Sequence, residues 1–239
     1  MKFLGAVLLF ALSSAQAADL LVAAAADLAP LTAALEQGYE RETGLKVRFS
    51  LGSSGSLARQ IENGAPFDVF LSANDQYVTE LTGSGQLDAS TVVTYAFGRI
   101  ALWFPGGMGQ SLDDLKKPQV KHVAIPNPQH APYGVAARQA LERRGLWKEI
   151  EPKVVYGENV RQALQFAESG NADAVITSWT LLQGRGTLLP AEWHAPIRQA
   201  GAIVKSSAQP AAAQRFLKFL SGSEGRKILE KGGLFPPHS

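Results

Sequence analysis

The stretch Phe49–Asn74, FSLGSSGSLARQIENGAPFDVFLSAN, decides the fold. Apolar residues from Val47 to Leu51 run into Gly52-Ser53-Ser54-Gly55-Ser56. Leu57 and Ile61 follow at helical spacing, and FDVFLS from Phe67 to Ser72 reads as the next buried strand. Strand, small-residue turn, helix and strand form the repeating unit of an α/β protein with mostly parallel sheets. GSSGS has the composition of a flexible linker, yet it stands between two regular elements. It lacks the spacing and the lysine of a phosphate-binding P-loop, and it is neither a dinucleotide fingerprint nor a G-x-S-x-G hydrolase elbow. What remains is a helix start capped by Ser53 or Ser54, with Gly52 and Gly55 allowing close approach. The first amides of a helix have no internal acceptors and carry the positive end of its dipole, so they hold an anion without Lys or Arg. A serine-capped helix with no guest explains this stretch equally well.

The same alternation runs outward in both directions. Leu20–Ala25 reads as a buried strand, followed by a helix from Leu28 to Thr43 with Pro30 in its first turn and Gly44 at its far cap. Further strands are expected near Ile100–Phe104, Val123–Ile125, Val154–Val155 and Ala172–Thr177. Helices are expected over 75–81, 133–144, 159–169, 210–220 and 224–231. About seven such units suggest two lobes rather than one sheet.

Composition removes several classes of function. The 239-residue chain has no cysteine, which excludes disulfides, cysteine zinc sites and thiol nucleophiles. Its formal charge of +2 is dispersed, as in RRGLWKEIEPK, without the basic stripe of a nucleic-acid binder. Residues 1–17 carry Lys2, an apolar run from Phe3 to Leu12, and Ala15-Gln16-Ala17, the pattern of an export leader cleaved before Ala18. A soluble periplasmic protein is the expectation.

Three more junctions resemble GSSGS. AAAADLAP (Ala23–Pro30), NPQHAPYG (Asn127–Gly134) and YGENVRQAL (Tyr156–Leu164) each turn from a strand end into a helix. Ligands of open α/β sheets bind where strand C-termini meet helix N-termini, so the four junctions could converge on one small anion. Other chemistry is thinner. His122, His130, His194 and His238 lack metal-site spacing. A Ser54–His130–Asp68 triad is conceivable without any motif to support it, and Asp68 serves equally as a loop anchor. Arg161 reads as a solvated side chain, and the four tryptophans as anchors.

GSSGSLARQIENGAPFDVFLSAN, NPQHAPYGVAARQAL and YGENVRQAL resemble the molybdate-binding periplasmic proteins of ABC transporters, and the similarity runs from LLVAAAADLAPL to the C-terminal helices. The resemblance implies a type II periplasmic-binding-protein fold, α/β, with a ligand cleft between two lobes joined by two crossovers. Lobe one would hold 18–97 and 206–239, and lobe two 98–205. It implies a monomeric, non-enzymatic receptor without a cofactor. Such a receptor captures molybdate, and tungstate by the same chemistry, for a membrane permease. Sulfate, phosphate or an organic acid are alternative ligands, and a secreted serine hydrolase is the alternative from another class.

Carried over by position, the resemblance assigns ligand contacts to Ser54, Tyr133 and Val160. Two positions depart from the pattern. Ala26 stands where a serine is usual, followed by Asp27, and Ser178 stands where a tyrosine hydroxyl is usual. Tyr133 could supply a hydroxyl in compensation. A carboxylate beside a dianion is repulsive by several kcal/mol at about 5 Å and an effective dielectric of about 20. Asp27 is therefore expected to cap the helix at Leu28 and turn away from the guest, or else to be protonated.

Overall fold

The computed structural model describes residues 19–182 and 184–237. The expected leader, residues 1–17, and His238 lie outside the described residues. In chain order the strands are β1 (Leu20–Ala25), β2 (Val47–Gly52), β3 (Val69–Ser72), β4 (Val93–Gly98), β5 (Ile100–Trp103), β6 (Val123–Pro126), β7 (Val154–Gly157), β8 (Ala174–Ser178), β9 (Thr187–Leu188) and β10 (Ile197–Ile203). The helices are α1 (Thr32–Thr43), α2 (Ser54–Glu62), α3 (Asp75–Gly83), α4 (Pro132–Arg143), α5 (Trp147–Ile150), α6 (Val160–Glu168), α7 (Trp179–Leu182), α8 (Pro210–Ser221) and α9 (Ser223–Lys231).

Two five-stranded sheets divide the strands, ordered β2-β1-β3-β10-β4 and β7-β6-β8-β5-β9. β1 pairs parallel with β2 and β3, and β6 pairs parallel with β7 and β8. β10 runs antiparallel to β3 and β4, and β5 antiparallel to β8 and β9. The sheets are therefore mixed rather than mostly parallel, because β5 and β10, the strands that follow the two crossings between sheets, run against their neighbours.

The expected lobe boundaries need two corrections. Gly98 closes β4 in the first sheet, so the first crossing falls at Arg99. Residues 197–205 were expected within lobe two, but Ile197–Ile203 form β10, whose ladders to β3 and β4 put it in the first sheet, so the second crossing precedes Ile197 rather than following Lys205. β10 went unread because its sequence, IRQAGAI, is buried at every position except Arg198 and shows no alternation.

Local chemistry sets the helix starts that matter. Ser53 caps α2, its side chain accepting from the Ser56 amide. Pro132 opens α4 at a position where a missing N–H costs nothing. Asn159 caps α6 by accepting from the amides of Arg161 and Gln162. Gly134 lets α4 lie close on β6: a Cβ there would stand 2.0 Å from the Pro126 carbonyl oxygen.

Apolar clusters cover both faces of the first sheet, with Phe216, Phe219 and Tyr39 on one and Leu57, Ile61 and Phe70 on the other. The core of the second sheet extends beyond it to Ala25, Ala26 and Ala73, the ends of the first sheet's strands and their flanks. The two halves thus pack on each other through small side chains at the strand ends.

Candidate functional site

Ala25, Ala26, Asp27, Gly52, Ser53, Ser54 and Ala73 from the first half face Ala131, Pro132, Tyr133, Asn159 and Val160 from the second, around a small, closed-down cavity of about 10 Å³. The four junctions singled out in the sequence converge here. Each contributes the first residues of a helix: the 3-10 turn Ala26–Leu31 that leads into α1, and then α2, α4 and α6. Two larger grooves, one beside Pro30 and Lys231 and one beside Arg161 and Glu168, do not gather helix starts in this way. The lining has no Lys or Arg, and Asp27 is its one ionisable carboxyl.

Helix starts bring free donors to the lining. The amides of Ser54, Tyr133 and Val160 stand in first turns, where a helix supplies no acceptor. The Ser54 side chain is arranged for donation: its Oγ accepts the Ala73 N–H at 2.9 Å in a buried contact, leaving the hydroxyl proton for a guest. Small side chains at Ala25, Ala26 and Ala131 keep the approach to these amides clear.

Hydrogen bonds tie the halves together around the cavity, among them one from Gln199 Nε2 to Tyr133 Oη at 3.0 Å. The Gly55 amide donates to the His130 carbonyl at 2.9 Å, and Ser56 Oγ donates to Glu158 at 2.9 Å. Tyr133 Oη donates to Asp27 Oδ2 at 2.7 Å, and Thr180 Oγ1 donates to the Asp27 carbonyl at 2.7 Å. Gly55 is required by this approach, since a Cβ there would lie 2.9 Å from that of His130.

Asp27 occupies a different place from the one expected. The turn begins two residues earlier than the sequence suggests, with Ala25 at its cap position and no side-chain cap. Asp27 is consequently inside the turn and its carboxyl points inward, fully buried. Oδ2 accepts from Tyr133 Oη and from Gln199 Nε2, while Oδ1 has no partner among the described residues. Burial pushes this carboxyl up from 3.8 to about 6, against the lowering effect of its two donors. Burial pushes the Tyr133 hydroxyl well above its usual range, and the neighbouring Asp27 adds to this.

Of the six residues assigned from sequence, Ala26, Asp27, Ser54, Tyr133 and Val160 come together in this lining. Ser178 does not. β8 turns directly into α7, so Ser178 Oγ meets Thr180 Oγ1 at 2.7 Å and backs the Tyr133 hydroxyl. That hydroxyl is committed to Asp27, so it does not replace a missing donor in the way the sequence allowed. Gln199 was missed altogether; it sits on unread β10, at a register shift that turns its side chain toward Asp27.

The triad reading fails on geometry. Ser54 Oγ meets Ala73, His130 Nε2 meets the Glu158 carbonyl and carboxylate, and Asp68 takes the Leu21 amide and the Ser207 hydroxyl. Asp68 is the loop anchor. Arg161 is exposed. Among the described residues no group of three or more His, Asp or Glu is placed to hold a metal ion. No described helix is long and apolar enough to cross a membrane.

Comparison with known proteins matches residues 20–235 to the family model for bacterial extracellular solute-binding proteins. The molybdate-binding protein ModA of Azotobacter vinelandii is 37% identical over 229 residues, 92% of this chain and 91% of that one. Its counterpart in Rhodobacter capsulatus is 32% identical, over 92% and 89% of the two chains. The solved periplasmic molybdate-binding protein of Azotobacter vinelandii superposes with a TM-score of 0.87 at 32% identity, covering 92% of this chain and all of that one.

Proposed function

The chain belongs to the bacterial extracellular solute-binding proteins, and from that premise we propose that its cleft captures molybdate, and tungstate by the same chemistry, for delivery to an ABC transporter permease. The observation that carries the ligand class is the convergence of four helix starts and the Ser54 hydroxyl on one cavity without a basic side chain. Neutral donors of fixed direction suit a compact tetrahedral oxyanion, whose charge is met by dipole ends in a water-poor site. A leader ending at Ala17 exports the chain, which works as a monomer. Its lobes run from 19 to 98 with 197 to 237, and from 99 to 196.

Cavity size sets selectivity over sulfate, because both anions are tetrahedral dianions with the same acceptor pattern. Calorimetric titration of the purified chain with molybdate, tungstate, sulfate and phosphate tests the reading. Saturable binding of molybdate at micromolar concentrations is expected, and an equal response to sulfate overturns the selectivity. No heat with any of the four overturns the function.

A further inference from the structure

Asp27 is the one feature of the cleft that a set of neutral donors does not explain. It lines the cavity at zero exposure, Oδ2 is filled by two donors, and Oδ1 has no partner among the described residues. A buried carboxylate and a dianion on the same small cavity repel each other, and no Lys or Arg in the lining offsets them. A proton relieves both problems at once. Placed on Oδ1, it gives the unpartnered oxygen a hydrogen bond to make and turns a repelling wall into a donor.

We propose that Asp27 is a proton site of the cleft: Oδ1 carries a proton while an oxyanion is held, donates it as a hydrogen bond, and so makes the protein capture one proton with each anion. The proton comes from solvent, and no other bond forms or breaks. This rests on the oxyanion reading and adds to it a residue that sets which anions are favoured, since a guest without protons of its own is then preferred.

The surroundings leave that proton to Asp27 alone. The titratable side chains facing it are Tyr133 from α4 and Tyr95 from β4, both pushed well above their usual range by burial and therefore neutral. Gln199 and Thr180, from β10 and α7, carry no charge. Charges on the adjoining elements point away: Glu40, Arg41 and Glu42 on α1, Arg48 on β2, Arg161 on α6 and Arg198 on β10 are exposed. Glu36 on α1 and Glu168 on α6 likewise have no part in the carboxyl's shift, which burial dominates.

Because the free carboxyl titrates near about 6, proton capture is measurable above that pH. Molybdate is titrated into the wild-type chain near about pH 8, in two buffers of different ionisation enthalpy. Uptake of close to one proton per anion is expected, with affinity falling about tenfold per pH unit from about pH 7 upward and levelling off below about 6. Asp27→Asn should still bind, with no uptake and a flat pH profile. Binding without uptake in the wild type overturns the proton site and leaves the oxyanion receptor intact. Uptake that persists in Asp27→Asn overturns it as well. Absence of binding to molybdate, sulfate and phosphate at every pH overturns the receptor reading itself. The wild-type measurement stands whatever the stability of the variant.

Discussion

Replacing Ser54 by alanine removes one oxygen that has two separate jobs. Its Oγ accepts the buried Ala73 amide at 2.9 Å, and its proton is left for the anion. A hydrogen bond to a charged partner contributes about 1.5–3 kcal/mol net. At about 1.4 kcal/mol per factor of ten, molybdate affinity should fall by roughly tenfold to a little over a hundredfold. The Ala73 N–H is left buried without an acceptor, which costs about 1–3 kcal/mol of stability whether or not an anion is present. Calorimetry reads the first loss and a thermal melt of the anion-free chain the second. Ser56→Ala is the control, because Ser56 Oγ bonds Glu158 at the exposed rim and does not line the cavity. It should lose less affinity than Ser54→Ala. If Ser54→Ala melts lower yet binds molybdate within about threefold of wild type, the hydroxyl only holds Ala73, and the donor assignment is refuted.

Gly98→Ala would place a Cβ 2.2 Å from Tyr133 Oη, forcing the ring off Asp27. Overpacking of this kind costs about 1–3 kcal/mol, and an unchanged melting temperature would show that Tyr133 has room to move. The stability of the anion-free chain should also carry the signature of Asp27. Its folded carboxyl titrates at about 6 against 3.8 for the free group, so the stability it confers is full below about pH 4 and is lost as pH rises through about 6. Asp27→Asn should therefore gain on the wild type as pH rises from about 3 to about 7, by up to about 3 kcal/mol in all, with no further gain above that. Melts in which the gap does not change with pH would contradict this.

Most of the scaffold was legible because its signals are local. Ser53, Asn159 and Pro132 announce three helix starts through capping chemistry that depends only on neighbouring residues. β1, β3 and β8 are short apolar runs between turn residues, recognisable without knowing their partners. The elements that failed were those whose form depends on distant chain. Asp27 looked like a cap and became a buried acceptor because Tyr133 and Gln199 approach it from more than a hundred residues away. Ser178 matched a family position in order along the chain, but the tight turn into α7 gave its hydroxyl to Thr180.

The sequence by itself determined the α/β alternation, the four strand-to-helix junctions and the absence of thiol chemistry, since each follows from residue type and spacing. The tertiary structure alone decided which sheet holds β10, that the four junctions share one cavity, and that its wall includes a carboxyl. A helix start is encoded within four residues. The convergence of several depends on sheet order and on how the halves close, and the titration of Asp27 depends on everything that keeps water from it.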